Sequence, residues 1–272
     1  MEEDKRKSRR SLRVRTHHIA RVPVSQLPKN FVYGINPVRE ALRANYLKKA
    51  FVGRTENPRV KELISAIRAL QLPILPLSEQ KWFPALKDAT HQEIAGITKP
   101  FVGMTLPEAL STQKDVSCAV MLDGVNDPHN LGAVIRNVRA GGALLILPKH
   151  GVPKINATVH KVSAGCSFST PIVLGENLSQ AIDTLKKAGF WIAAMDAHRG
   201  ESILKFEFPK KFAVIFGREE RGVGRILSEK SDFHLKIPMR NGVDSLNLSV
   251  AVGITVYLFR AHYPEFDNKE MS

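Results

Sequence analysis

Three polar, glycine-bearing segments each follow a short apolar run, where an α/β protein exposes its chemistry. The first is Asp123-Gly124-Val125-Asn126-Asp127-Pro128-His129-Asn130-Leu131-Gly132, running into Ala133-Val134-Ile135-Arg136-Asn137. Asn130 is a candidate helix cap, and Arg136 projects from the helix about two turns in. A capped turn with a surface arginine would account for these two residues taken singly. The density of Gly, Asn, Asp and Pro beside a buried strand favours a site. The second segment is Phe216-Gly217-Arg218-Glu219-Glu220-Arg221-Gly222-Val223-Gly224. Its glycines permit backbone conformations closed to other residues and close approach of a ligand. It is neither GxGxxG nor followed by GKS or GKT, so the dinucleotide fingerprint and the phosphate loop are both absent. The third runs from Ile237-Pro238-Met239-Arg240 through Ser245-Leu246-Asn247-Leu248-Ser249. Helix capping explains one of Ser245 and Asn247, which leaves the other to turn toward a pocket.

The elements around these segments alternate. Val116 to Leu122, Ala143 to Leu147, Trp191 to Met195, Phe212 to Phe216 and His234 to Ile237 read as strands. Between them, Leu131, Val134, Ile135 and Val138 share one helix face that stops at Gly141. Ile155 to Ala164 has helical character, Leu178 to Ala188 follows Asn177 and stops at Gly189, and a last helix runs from about Leu248 to His262. That last helix is expected to pack Val250, Ala251, Ile254, Tyr257 and Leu258. Such alternation implies a largely parallel sheet covered on both faces, with ligands at the carboxyl ends of its strands. A smaller α/β unit precedes it over 31–99. There Asn36-Pro37 and Asn57-Pro58 read as helix starts, and Val60, Leu63, Ile64, Ile67 and Leu70 form one stripe. Residues 100–115, with Pro100, Gly103 and Pro107, read as a linker with room for one helical turn. Residues 1–30 read as a disordered basic arm, which either orders on RNA or acts as a solubilising tail.

With 272 residues there is length for one large or two ordinary domains. The net charge of +14 favours polyanionic partners, because Lys and Arg at phosphates release counterions. The two cysteines, Cys118 and Cys166, form no CxxC motif, so no redox or zinc site is legible and a reduced compartment fits. No apolar run reaches membrane-span length, and the Met1-Glu2-Glu3-Asp4 start lacks a signal-peptide core. The expectation is a cytoplasmic protein. His17 and His18 read as solvated, His129 stays outside the catalytic set, and Trp82 and Trp191 read as core.

Together the three segments resemble the SpoU (TrmH) group of SPOUT RNA ribose methyltransferases. Asn130, Gly132 and Arg136 match the first motif of that group. Gly217 and Glu219 match the second, and Ile237, Pro238, Ser245, Leu246, Asn247 and Ser249 the third. Phe31 to Val38, Glu40-Ala41-Leu42 and His91-Gln92 are similar to its L30e-like amino-terminal RNA-binding domain. Two positions depart from the pattern: Glu220 stands where the group usually has Gly, and Phe168 where it commonly has Glu.

The resemblance implies a two-part α/β protein. An L30e-like domain would span 31–99 and a trefoil-knotted SPOUT methyltransferase domain 116–265. It implies S-adenosylmethionine as cofactor, held by Gly217, Ile237 and Leu246, no metal, and a homodimer with its active site near the interface. The substrate would be RNA, with a guanosine of large-subunit (23S) ribosomal RNA favoured by the layout and transfer RNA as the alternative. Arg136 would bind the phosphate beside the target ribose and stabilise the developing alkoxide. Asn130 and Asn247 would orient Arg136 and the ribose, Glu219 would fix the loop and the substrate, and Ser245 would line the site. A non-catalytic RNA-binding protein that keeps the fold and a nicotinamide-dependent dehydrogenase are the competing readings. The intact motif residues weigh against the first, and the missing glycine fingerprint against the second.

Overall fold

The computed structural model describes residues 23–113, 116–197, 199–218, 220–240 and 243–263. Glu219, His17 and His18 lie outside the described residues, as does the basic arm up to residue 22.

The first sheet has four strands: β1 (Phe31–Tyr33), β2 (Leu47–Val52), β3 (Ile74–Pro76) and β4 (Ile94–Thr98), in the order β1-β4-β2-β3. β4 pairs antiparallel with β1 and β2, and β3 adds in parallel to β2. Helices α1 (Ile35–Arg43) and α2 (Pro58–Ala69) cover one face through Ile35, Val38, Ala41, Val60, Leu63 and Ile67. Asn57 caps α2 as expected, accepting from the Arg59 N–H, with Pro58 next. Asn36 does not cap α1. The helix starts earlier, at Ile35, because the Gln92 side-chain oxygen accepts from the Ile35 N–H at 3.1 Å and Gly34 turns there at φ 90°. A distant glutamine does the work expected of a local asparagine.

Helix α3 (Leu106–Thr112, 7 residues) lies within the stretch expected as a linker. Thr105 and Glu108 close a capping box around its start, and Leu106 and Ala109 are buried in the second unit. Met104 bridges to Val173 in parallel, so this stretch packs as part of that unit.

The second sheet has seven strands. β5 (Cys118–Leu122), β6 (Leu144–Pro148), β7 (Ile172–Glu176), β8 (Trp191–Met195), β9 (Glu201–Ser202), β10 (Phe212–Phe216) and β11 (Phe233–Lys236) lie in the order β7-β6-β5-β10-β8-β11-β9. Every pairing is parallel. The helices are α4 (Pro128–Ala140), α5 (Ala157–Val162), α6 (Leu178–Lys187), α7 (Arg225–Glu229) and α8 (Leu248–His262). The period-two alternation of a strand sorts β5 between two cores. Cys118, Val120 and Leu122 face α4 and α8, while Ala119 and Met121 face α6 and α3. Each fully buried leucine or isoleucine in these layers contributes roughly 1.5–3 kcal/mol relative to exposure.

Two expectations about side chains are corrected. Val250 and Tyr257 are exposed on α8, which buries Leu248, Val252, Val256 and Phe259 instead. α8 is apolar nearly all round, so periodicity could not say which side faces the core. Trp191 is not core either; it lies half-exposed at the start of β8 with its ring tilted against Phe233. Trp82 does pack edge-on against Phe31 and Phe51. No helix among the described residues is long and apolar enough to cross a membrane.

Candidate active site

The strand order reverses at β5: β6 and β7 extend to one side, and β10, β8, β11 and β9 to the other. Such a reversal opens a crevice at the carboxyl ends of the strands. Here the Asp123 N–H, just past β5, donates to the Phe216 carbonyl at the end of β10, 2.9 Å away. The Asp123 carboxylate then accepts from the Gly224 N–H at 2.9 Å, which ties the first loop to the second.

The second loop folds back on itself. Arg218 and Gly222 exchange both main-chain hydrogen bonds, at 3.0 and 2.8 Å, and Gly222 turns with φ 65°. Gly217 sits against this small hairpin, where a Cβ would collide with the main chain of Gly222 and Val223. Only glycine fits there, which lets the hairpin close against the end of β10, and Arg218, Glu220, Arg221 and Val223 of the same loop also line what lies above it.

What lies above it is a cavity of about 700 Å³, walled by the ends of β8, β10 and β11 and by the third loop. Gly217, Ile237, Ser245 and Leu246 all line it, so four of the sequence candidates from two different loops converge there. Phe216, Leu248 and Ala251 add apolar wall, and Asp196 and Asp244 add carboxylates. Sequence reasoning missed the contribution of β8. Met195 and Asp196 reach the cavity because the topology sets β8 beside β10. It also missed a paired Ser228 and His234 on the wall, with Oγ and Nε2 2.8 Å apart.

Beside the cavity the third loop ends on α8. Asn247 is the helix cap: its Oδ1 accepts from the Ser249 N–H at 2.9 Å and from the Ser249 hydroxyl at 2.6 Å. Its amide nitrogen donates to Asn130 Oδ1 at 2.9 Å. Of the two polar residues before α8, Asn247 caps and Ser245 lines the cavity. Asn130 is not a cap. Asp127 takes that role by accepting from the His129 N–H at 2.8 Å, which leaves Asn130 in the first turn of α4 facing Asn247. Asn137, two turns on, donates to the Ser249 carbonyl at 2.6 Å and packs on Gly253, clamping α4 against α8.

Arg136 stands apart. It is exposed on α4 and does not line the cavity of its own chain. It lies near Cys166, where burial raises the thiol pKa and the Arg136 charge pulls it back down. Thus the structure joins Gly217, Ile237, Ser245 and Leu246 on one cavity, and Asn130 to Asn247 beside it. It leaves Arg136 outside, and Glu219 lies beyond what is described.

Residues 117–257 match the SpoU rRNA Methylase family, and residues 31–102 match the domain described as RNA 2'-O ribose methyltransferase substrate binding. A Staphylococcus epidermidis protein that carries the name TrmH family tRNA/rRNA methyltransferase is 32% identical over 232 residues, covering 83% of this chain and 93% of its own. The crystal structure of the SpoU methyltransferase AviRb from Streptomyces viridochromogenes, in complex with the cofactor AdoMet, shares the fold. Its TM-score is 0.71 at 19% identity, over 88% of this chain and 91% of that one. An AdoMet-bound rRNA methyltransferase from Sinorhizobium meliloti superposes with a TM-score of 0.69 at 22% identity, over 86% and 88% of the two chains. With three ordered motifs, a parallel sheet reversed at β5 and matches over both units, the chain belongs to the SpoU rRNA methylase family of RNA methyltransferases.

Proposed function

We propose that this protein transfers a methyl group from S-adenosylmethionine to a ribose 2′-hydroxyl of RNA. We take a guanosine of large-subunit ribosomal RNA as the target, and a cytoplasmic homodimer as the working form. The observation that carries this reading is the convergence of Gly217, Ile237, Ser245 and Leu246 on one cavity, with the Asn130–Asn247 pair at its side. The cavity fits a nucleoside-sized cofactor. Its volume of about 700 Å³ lies within the usual span of small-molecule sites. Apolar side chains offer a face to a base, and Asp196 and Asp244 suit a cationic group. When bound, S-adenosylmethionine supplies an electrophilic methyl group on a sulfonium.

The residues of the chain do the rest. A ribose hydroxyl is a weak nucleophile at neutral pH, so alignment of its oxygen with the methyl carbon supplies much of the acceleration. Arginine stays protonated, which makes Arg136 a poor base and a good clamp. It binds the phosphate next to the target sugar and stabilises the developing alkoxide, and the hydroxyl proton passes to solvent. Asn130 and Asn247 orient the sugar and the guanidinium. Glu219 fixes the second loop and the substrate, and Ser245 lines the site. Because Arg136 does not line the cavity of its own chain, the reading has it serve the cavity of the second copy.

Arg136→Ala is expected to abolish transfer of tritiated methyl to RNA while S-adenosylmethionine affinity by isothermal titration stays within about twofold. Retained turnover would remove Arg136 from the mechanism, and an absence of cofactor binding in the wild type would remove the enzyme reading. Mass-spectrometric mapping of 2′-O-methyl sites in RNA from a deletion strain separates ribosomal from transfer RNA.

A further inference from the structure

The two units meet through a joint that the cofactor cavity does not require. At its centre Phe168 stacks on His160, with ring centroids 4.4 Å apart and planes 7° from parallel. Tyr46 of the first unit packs on Phe168 at 5.2 Å, and Phe101 of the connecting chain lies against Tyr46, Phe168 and His160. The connection is therefore pinned between the units. The departure from Glu at Phe168 has a physical account here, since a carboxylate would have no place among these rings.

A second contact lies one turn away. Lys161 Nζ donates to the Thr90 carbonyl at 2.6 Å and sits over the Tyr33 ring at 5.2 Å. Lys161 is half-buried here, and burial lowers its pKa. A Cβ at Gly34 would come within 2.6 Å of it. Next, Gly165 (φ 87°) rests on the first turn of α1, where a Cβ would lie 2.8–3.0 Å from Glu40, Pro37 and Asn36. The same segment presses on the catalytic side: at Gly132 of α4 a Cβ would stand 2.7 Å from Val162. So α5 and the turn after it touch the first unit on one side and the helix bearing Asn130 and Arg136 on the other, at glycine distance on both.

We propose that residues 157–168 form a rigid spacer that holds the first unit at one fixed distance from the methyl-transfer site. Lys161, Gly165 and Phe168 are then positioning residues that determine which nucleotide of a structured RNA is presented. This rests on the RNA methyl-transfer reading above. A tethered RNA-binding unit would offer several neighbouring riboses to the cofactor, whereas a fixed one offers a single ribose.

The test uses the full chain, with Phe168→Ala to open the aromatic centre and Lys161→Met to remove the ammonium while keeping its stem over Tyr33. Both variants are expected to bind S-adenosylmethionine within twofold of wild type. On folded ribosomal RNA, kcat/KM falls tenfold or more and mapped methylation spreads to adjacent nucleotides. On a short unstructured oligonucleotide carrying the target, the rate is unchanged. A single unchanged site at wild-type kcat/KM on folded RNA in Lys161→Met overturns the proposal, as does an equal loss on both RNAs. Hydrogen exchange without RNA gives an independent readout: the amides of residues 34–36 and 165–168 are expected to be protected together in wild type and released together in Phe168→Ala. Fast exchange in wild type sinks the spacer whatever the activity. A wild type that binds no cofactor and methylates no RNA, yet shows this protection, sinks the functional reading and the positioning role with it, while the joint itself stands.

Discussion

Asn247 divides two duties between its two amide atoms. Oδ1 caps α8 through the Ser249 N–H, and Nδ2 reaches Asn130. Asn247→Asp keeps an acceptor for the cap at a helix N-terminus, where negative charge is welcome, but sets a carboxylate against the Asn130 oxygen. Unfolding free energy in urea is expected to change by less than about 0.5 kcal/mol, while single-turnover methyl transfer slows about tenfold or more. Equal rates would show that the pair only staples two helices. Asn247→Ala loses the cap as well, at about 1 kcal/mol, which separates the two duties. Gly217 is a different case, because its neighbours are main chain and cannot swing away. Gly217→Ala should displace the hairpin and weaken S-adenosylmethionine binding by at least about tenfold, or roughly 1.4 kcal/mol, as read by titration calorimetry. Unaltered affinity would detach the second loop from the cofactor.

Among the elements, those with complete local signals were legible and those defined by distant partners were not. α6 has Asn177 before it and Gly189 after it, α8 has Asn247, and both lie where the spacing puts them. α3 carried an equally local signal, Thr105-Leu106-Pro107-Glu108, masked by a Gly- and Pro-bearing context. α1 could not be placed to the residue because its first N–H is satisfied by Gln92, 57 positions along the chain. In the site, the motif residues were legible as types at intervals, whereas Met195 and Asp196 enter only through the neighbourhood of β8 and β10. α5 shows how a short element acquires a pH response. His160 is buried, with Nδ1 2.7 Å from the Ser167 hydroxyl, and burial lowers its pKa from 6.5 to about 4. The unfolded chain takes up this proton near pH 6.5 and the folded chain only near pH 4, so stability is lost as pH falls through that window. The loss at pH 5 is about 2 kcal/mol. Urea midpoints at about pH 7.5 and pH 5 should diverge strongly in wild type and less in His160→Gln; parallel behaviour would assign the acid sensitivity to other groups.

At the scale of the whole molecule, the role proposed for Arg136 requires an exposed residue to reach a cavity that it does not line. α8 supplies a surface that could answer it. Val250 and Tyr257, seven positions apart on one face, are 48% and 51% exposed, with Ile254 half-buried between them. α8 is clamped to α4 through Asn137 and Asn130, so a second copy seated on this face would lie next to the helix that carries Arg136. Two measurements test this. Val250→Asp combined with Tyr257→Asp is expected to yield monomers in sedimentation velocity, with methyl transfer lost and the fold retained by circular dichroism. A mixing experiment then asks whose arginine serves which cavity. Arg136→Ala keeps a sound cavity, and Gly217→Ala keeps a sound arginine; at limiting S-adenosylmethionine the first is expected to be inactive alone and the second to retain about a tenth or less of wild-type activity. If the arginine acts across a two-fold interface, random exchange of subunits makes half the dimers mixed, each with one complete site. Activity should then return to about a quarter of the wild-type level. If Arg136 serves its own chain, no mixed dimer contains a complete site and the mixture gains nothing over the variants alone. A mixture without that gain, from subunits shown to exchange, would move Arg136 back to the cavity of its own chain, and would require α4 or the third loop to shift when RNA binds.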